Sequence, residues 1–234
     1  MRKTDGSNAI AYAEGVRQYR RMKPFFRKSG AFFLLIASAL FLFGLINVYF
    51  PGAGFLLFLV GLPTLPIALV TITTIWLIRG IKMARSEVDR SKAIVYVCAS
   101  PVMCLLVVLT ASLLIFLGGF VGDLARLAVN QRQYAAIISK ARVERRAEWY
   151  AEDTNGVTYS VDVGPPVRVA FEPAGMLDNW SAIVFDPSGK MMMANGFNSK
   201  TGEFQTPEPI TKLFGGDLVS CRRLWGDYLT CSFT

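Results

Sequence analysis

Acidic side chains are the groups of this chain that could do acid–base chemistry, because none of its 234 residues is histidine. Without an imidazole, Ser-His-Asp and Cys-His catalysis and the commonest zinc ligand sets are excluded. Four carboxylates near the C-terminus are candidates for an acid–base pair: Asp178, Asp186, Asp217 and Asp227. Each stands beside a turn residue, which is the commoner reason for an aspartate at such a position. We therefore predict that the chain is not an enzyme and has no cofactor-binding, catalytic or metal-binding residue.

Two tryptophans of the same region lie next to acidic residues. Tryptophan and tyrosine at polar loop tips are typical anchors of protein interfaces. The two segments supply the candidate partner-binding residues Asp178, Asn179, Trp180, Trp225, Asp227 and Tyr228. The alternative is that both tryptophans fill the core of a small domain, and the sequence leaves the two interpretations open.

The four cysteines form two pairs of different character. Cys98 and Cys104 lie within an apolar run, where small packing residues are expected. Cys221 and Cys231 flank a turn at 225–227. A three-residue loop there places these two cysteines directly opposite each other, whereas a two-residue loop offsets them by one. We predict a disulfide between them, with two free buried thiols as the alternative; neither pair has the spacing of a metal site.

Three long runs without Asp, Glu, Lys or Arg predict the fold class. They indicate transmembrane helices at 31–50, 52–78 and 93–120, within a membrane region at 31–122, because about 20 apolar residues cross a bilayer. Pro63 and Pro66 are predicted to kink or break the second helix, and a re-entrant segment is the alternative there.

The distribution of Lys and Arg predicts the orientation. Residues 1–30 and the loop 79–92 together carry thirteen, the turn before residue 52 carries none, and 123–146 carries six. Cationic residues flanking membrane helices remain in the cytoplasm. We therefore predict a cytoplasmic N-terminus and an exported segment from about residue 123 onward.

Residues 1–30 form the predicted cytoplasmic arm. Tyr12, Val16, Tyr19 and Met22 recur at helical spacing, and Pro24 ends the pattern, which indicates an amphipathic helix on the lipid headgroups. A disordered basic arm is the equal alternative. The membrane accounts for its positive charge, so no nucleic-acid partner is predicted.

Residues 123–149 continue the helical spacing and predict a helical extension after the third span. Its apolar stripe requires a partner, which is the terminal domain, a second copy of the chain in a homo-oligomer, or lipid.

Residues 150–234 consist of short β-type runs separated by Gly, Pro, Asn and Asp, a pattern that predicts a small, antiparallel β-rich (α+β) domain with five or six strands. The predicted strands are Val157–Val163, Val167–Phe171, Ser181–Phe185, Met191–Ala194, Leu218–Trp225 and Tyr228–Phe233, and a short helix is predicted at Pro207–Phe214. From residue 147 onward, six Lys/Arg face eleven Asp/Glu, a net charge of −5, whereas the rest of the chain carries +13. The basic character therefore belongs to the membrane side, and the terminal domain is acidic.

The closing residues 213–221, 225–228 and 231–233 resemble the tail of small bacterial inner-membrane proteins that are encoded beside secreted toxins. A plan of a few spans plus a periplasmic part is similar to that of membrane-spanning immunity proteins against type VI secretion toxins. The resemblance implies a multi-pass inner-membrane protein with a periplasmic C-terminal domain. It also implies a function without catalysis, in which a membrane-targeting toxin, for example a pore-forming one, is neutralised by binding.

Two other functions remain as alternatives to the immunity hypothesis. A structural or accessory subunit of a bacterial envelope complex would use the helix at 123–149 for docking. An enzyme acting through paired carboxylates ranks last, because sequence alone does not show those carboxylates converging.

Overall fold

The computed structural model describes residues 5–86, 89–144, 146–176, 178–194, 196–198 and 200–234, with side chains except at 5–23, 51–58, 62, 176, 204 and 208. The predicted apolar face of the basic arm therefore lies outside the described side chains. The chain divides into two compact units. The first comprises Met1–Gly44 and Leu56–Leu117, and the second comprises Leu45–Phe55 and Gly118–Thr234.

Three long helices lead into the C-terminal domain: α1 (Asp5–Tyr49), α2 (Pro51–Arg85) and α3 (Arg90–Val143). Among the described residues, Pro24–Tyr49, Leu59–Arg85 and Arg90–Val143 are long and apolar enough to cross a membrane. The helical character of all three predicted spans is confirmed.

Prolines interrupt these helices less than the sequence predicts. Pro24 is predicted to end a helical pattern, but α1 continues through it. The reason is tertiary, because Phe25 is buried between Trp76 and Tyr96, with both ring centroids 5.4 Å away.

The second helix is also continuous, although it contains Pro63 and Pro66. The Thr64 hydroxyl, between the two prolines, donates to the carbonyl of Val60 at 2.7 Å and adds a hydrogen bond at this turn. A break is therefore wrong, a kink at these prolines stays a prediction, and a single helix leaves no re-entrant reversal inside 52–78.

Close contacts join the helices of the first unit. A Cβ at Gly44 would collide with the carbonyl oxygen of Ile115, so glycine allows the backbones of α1 and α3 to approach. The buried Ser100 hydroxyl donates to the carbonyl of Thr73 at 3.0 Å and joins α3 to α2. Cys104 packs among the apolar residues as predicted, whereas Cys98 is exposed.

In the described residues, nine strands follow α3. They are β1 (Tyr150–Thr154), β2 (Val157–Asp162), β3 (Arg168–Met176), β4 (Asn179–Phe185), β5 (Phe197–Asn198), β6 (Glu203–Phe204), β7 (Lys212–Leu213), β8 (Gly216–Trp225) and β9 (Tyr228–Phe233). Seven of them form an antiparallel half-barrel in the order β1-β2-β3-β4-β9-β8-β7, and β5 pairs separately with β6. The predicted antiparallel domain is confirmed, but it has more strands than the predicted five or six. The unpredicted ones are β1, which has five residues, and the two-residue strands β5, β6 and β7, which are too short for a periodic signal.

Both faces of this sheet are buried. Successive residues of a strand point to opposite faces, so Phe171 and Ile183 belong to one apolar cluster while Ala170 and Val184 belong to the other. The first cluster is completed by the second half of α3. The second cluster is covered by Met191 and by the short helix α4 (Glu208–Thr211).

The second half of α3 crosses the strands along a single row of paired residues. That row is Arg222, Thr230, Ile183, Phe171, Tyr159 and Glu152. Asp123 contacts its first two members, the Tyr134 ring stacks on Phe171 at 4.0 Å, and Lys140 reaches its last two. Seventeen residues of helix rise about 25 Å, which matches five strand spacings of about 4.8 Å. The predicted partner of the apolar stripe is therefore the terminal domain of the same chain.

Two boundaries and one strand differ from the predictions. The helical extension ends at Val143 instead of 149 because the chain turns back into β1, where the Arg146 guanidinium lies 3.8 Å from the centroid of the Tyr150 ring. The predicted strand Met191–Ala194 is wrong, since Lys190–Met193 is a 3₁₀ turn. The predicted helix at 207–214 is present but shorter, as α4, and it is followed by β7.

The hairpin of β8 and β9 contains the predicted disulfide between Cys221 and Cys231, whose Cα atoms are 4.1 Å apart. Trp225 pairs with Tyr228, so the loop has two residues and not three. A shift of register between Arg223 and Trp225 adds one residue to β8 and brings the cysteines opposite each other again. The predicted bond is confirmed, but a bulge is the reason for it.

We expect that replacing both Cys221 and Cys231 with serine lowers the free energy of unfolding by about 2 to 4 kcal/mol, because the unfolded chain regains the entropy of an open loop. Urea denaturation of the full chain in detergent, followed by tryptophan fluorescence, measures this loss. Cys98→Ser, at an exposed free cysteine, is the control and should change little. Equal stability of the double variant and the oxidised protein would contradict the prediction.

Candidate functional site

A cleft of about 640 Å³ opens in the second unit. It lies between the segment 146–149 that follows α3, the β2–β3 turn at 162–164 and the β7–β8 hairpin at 212–217. Its charged lining residues are Arg146, Glu148, Asp162, Lys212 and Asp217. Its volume is within the range typical of ligand-binding pockets.

The β7–β8 hairpin shapes one wall of the cleft. Its two loop residues, Phe214 and Gly215, have φ angles of 55° and 83°, and positive values at both positions are typical of a type I′ turn. Phenylalanine rarely adopts such a φ, and here burial and an edge-on contact with Phe233 hold it. A Cβ at Gly215 would lie 2.9 Å from Cζ2 of Trp149, so the glycine lets this indole close the wall.

Asp217 carries the charge of the cleft that is least compensated. Its Oδ1 atom is buried, and within the described ranges no hydrogen-bond donor reaches it. Asp162, by contrast, accepts from Arg168 at 2.9 Å. A buried carboxylate oxygen without a donor is costly, so this position favours an incoming positive group.

Arg146 lines the cleft, but acidic residues outside it already hold its guanidinium. Glu144 is 3.2 Å away, and Glu152 accepts a short hydrogen bond from it. Glu152 also accepts from Lys140 at 2.9 Å and from the Tyr159 hydroxyl at 2.8 Å. These bonds, that from Lys140 first, lower the pKa of Glu152 to about 2, so the carboxylate stays ionised at neutral pH.

The four candidate carboxylates do not converge. Asp178 precedes β4 and Asp186 follows it, so the strand separates them by about 25 Å. Asp217 lies near the start of β8, at the end of the sheet where Asp178 lies. Asp227 lies at the other end, where its backbone carbonyl accepts the backbone N–H of Asp186 at 2.9 Å. The pairs at opposite ends of the sheet do not form a single acid–base site.

Asp186 has a structural role. It is buried, receives Arg168 Nε at 3.2 Å, and accepts the Met191 N–H at 3.0 Å and the Ser188 hydroxyl at 2.6 Å. Burial acts to raise its pKa, but the hydrogen bonds from Met191 and Ser188 and the charge of Arg168 outweigh burial, so the pKa lies below its ordinary value. These bonds fix the 3₁₀ turn at Lys190–Met193.

The six candidate partner-binding residues fall into two groups at opposite ends of β4. Asp178 and Asn179 are exposed, and the half-buried Trp180 stacks on Phe233 with ring centroids 4.0 Å apart. Trp180 therefore belongs largely to the core.

In the second group, Trp225 is 72% exposed and Asp227 is exposed, while the half-buried Tyr228 packs edge-on against Phe185. Of the two predicted tryptophans, Trp225 is thus the one that is available to a partner.

Trp149, which is not among the residues predicted from the sequence, is 51% exposed and lines the cleft. The pattern that selected the other tryptophans also occurs here, since Glu148 directly precedes Trp149.

A buried ionic cluster between α3 and the sheet was also missed. Asp123, 2% exposed, accepts from Arg222 at 3.0 Å and from the Thr230 hydroxyl at 2.9 Å, and Arg126 lies 3.5 Å away. Arg126 and the Tyr134 hydroxyl in turn contact Glu172, at 3.5 and 2.5 Å. The only sequence signal for this cluster is the helical spacing of Asp123, Arg126 and Tyr134, which places them on one face of α3.

No protein-family model, curated protein or solved structure matches this chain. In the part of the chain that the structure describes, no group of three or more Cys, Asp or Glu side chains is placed to hold a metal ion.

We expect Asp186→Asn to lower the free energy of unfolding by about 1 to 3 kcal/mol at pH 7, because it removes one of the two carboxylates that pair with the buried Arg168 and weakens the hydrogen bonds from Ser188 and Met191. The stabilisation from Asp186 exists above its unfolded-state pKa, about 3.9, and is lost as the pH falls through the lower folded-state value. Urea denaturation of the full chain at pH 7 and below pH 4 measures both effects. The variant should lose less stability on acidification than the parent, and Asp178→Asn, at an exposed acid, should behave like the parent.

Proposed function

We propose that this chain is a bacterial inner-membrane protein that neutralises a cognate, membrane-targeting secreted toxin by binding it. It crosses the membrane three times, with its N-terminus in the cytoplasm and its β-domain in the periplasm. Three long apolar helices, the thirteen Lys/Arg on one side and a disulfide that an oxidising compartment would maintain support this arrangement.

The observation that carries the proposal is that a disulfide-bonded domain with an open cleft is built directly on the third apolar helix. Residues from Gly118 to Val143 of α3 belong to the same compact unit as the sheet, and Asp123 ties them to β8 and β9. Because α3 is continuous from the apolar segment into this domain, the domain stays tethered to the membrane, where a membrane-targeting toxin must arrive. Binding there prevents insertion or assembly without any catalytic group.

Two surfaces of the domain supply the contacts to the toxin. One is the cleft with Trp149 and Asp217 in its lining, and the other is the tip of the β8–β9 hairpin with the exposed Trp225. The disulfide lies close to this tip and holds its two strands together, which lowers the entropy cost of presenting an aromatic anchor.

We expect a reporter enzyme that is active only in the periplasm to be active when fused after Thr234. The same reporter fused within the loop 79–92 should be inactive, because that loop is cytoplasmic in the proposed topology. If a reporter that works only in the cytosol is active when fused after Thr234, the proposed topology and the proposed encounter with the toxin are both contradicted.

Growth assays test the neutralisation. We expect that a toxin encoded beside this chain, directed to the periplasm of a bacterial host, stops growth and that this chain restores it. Trp225→Ala should weaken protection because an exposed interface tryptophan typically contributes about 2 kcal/mol or more. The matched control is Met193→Ala at another exposed apolar residue, which should protect normally. Equal killing with and without the parent chain would refute the proposal.

A structural or accessory subunit of an envelope complex is the second candidate. Such a subunit would dock through the helix predicted at 123–149. However, Leu127, Tyr134 and Ile138 of that helix are buried against the sheet of the same chain. Copurification of a stable multi-subunit assembly in mild detergent, in the absence of toxin, would favour this candidate instead.

A further inference from the structure

We propose that the cleft beside Trp149 receives a side-chain cation, a lysine ammonium or arginine guanidinium, that the partner polypeptide presents. The identity of the partner as a protein rests on the proposed function. The chemistry of the guest follows from the walls of the cleft.

The first requirement, an aromatic wall, is met by Trp149. This indole is half exposed, lies against Gly215 and borders the open volume. A cation within about 6 Å of an indole face is attracted by the electrons of the ring, and tryptophan is the best aromatic side chain for this contact. A hydrophobic guest would also pack on this wall, so the ring alone does not select the guest.

The second requirement, a negative charge without a partner, is met by Asp217. Its Oδ1 atom is buried, and in the described part of the chain neither a hydrogen bond nor an ion pair reaches this side chain. The backbone of Asp217, by contrast, is fully hydrogen-bonded: its N–H donates to the carbonyl of Thr234 at 2.8 Å, and its carbonyl accepts the N–H of Thr234 at 3.0 Å. The backbone that carries this side chain is thus held in place, and a cation in the cleft would give the buried Oδ1 atom the donor that it lacks.

The basic residues of the cleft do not reverse this preference. Arg146 is held by Glu144 and Glu152 and stacks on Tyr150, so its charge is already balanced. Lys212 is exposed and, although it pairs with Asp217 across the β7–β8 ladder, it forms no ion pair with it in the described residues. An anionic guest would meet the uncompensated Asp217 and the exposed Glu148.

The volume indicates a side chain that is still attached to a polypeptide. About 640 Å³ is more than one lysine or arginine side chain occupies, and the surplus accommodates the flanking backbone. The negative charge of the domain, −5 from residue 147 onward, attracts a basic segment toward this opening.

Titration of the full chain, purified in an uncharged detergent, with an acetylated and amidated tri-lysine peptide tests this inference. The ¹⁵N–¹H signal of the Trp149 indole reports binding, and the signal of Trp180, which is stacked on Phe233, reports the integrity of the fold. We expect the Trp149 signal to shift and Asp217→Asn to weaken binding about tenfold, which corresponds to about 1.4 kcal/mol. Glu203→Gln removes one exposed acid outside the cleft and is the matched control, which should bind like the parent.

Three results would overturn the inference. They are an equal shift with the neutral peptide in which each lysine is Nε-acetylated, a larger shift with tri-glutamate, and equal weakening by Asp217→Asn and Glu203→Gln with the Trp180 signal unchanged. If Asp217→Asn displaces the Trp180 signal, the variant Trp149→Leu is used in place of Asp217→Asn. Because this variant lacks the Trp149 indole, its binding is followed by calorimetry, and the same tenfold loss is expected. Tri-lysine binding without protection in the growth assay would contradict the proposed function alone, whereas protection without tri-lysine binding would contradict this inference alone.

Discussion

The carboxylate of Asp123 cannot be buried without compensation, and the way it is compensated determines how the second unit is assembled. Removing a charge from water costs several kcal/mol unless hydrogen bonds and opposite charges replace the solvent. Here the replacements come from β8, through Arg222, from β9, through Thr230, and from α3 itself, through Arg126. Because these partners belong to three elements, they all reach Asp123 only when α3 lies on the sheet in one register.

The remaining contacts of α3 follow from that register. With Asp123 at Thr230, Tyr134 lies over Phe171 and Lys140 reaches Glu152 along one row of the sheet. Apolar burial supplies most of the driving force, and the ionic cluster selects among otherwise similar ways of packing a helix on a sheet. The end of α3 is then fixed as well, so the segment that follows it can place Trp149 against Gly215 and complete the cleft.

The candidate carboxylates and the exposed aromatic residues occupy different places in the second unit. The carboxylates lie at two ends of the sheet, and the most buried one, Asp186, is fully engaged in holding a turn. Among the described residues, the features open to solvent include a cleft lined by Asp217, whose buried Oδ1 has no hydrogen-bond donor, and the tryptophans Trp149 and Trp225. Pre-organised features of this kind bind without loss of much conformational entropy.

The sequence by itself determined the long helices, the antiparallel β-character of the C-terminal domain and the disulfide. These follow from strong and local signals, namely long charge-free runs, alternating β-type segments and the spacing of two cysteines. Tertiary structure decided the rest because distant residues overrode local preferences. Phe25 packs between two aromatic rings just after Pro24, the buried Asp186 converts a predicted strand at 191–194 into a 3₁₀ turn, and a bulge restores the cysteine register. The cleft could not be predicted for the same reason, since Trp149 and Gly215 are 66 positions apart and meet only when α3 lies on the sheet.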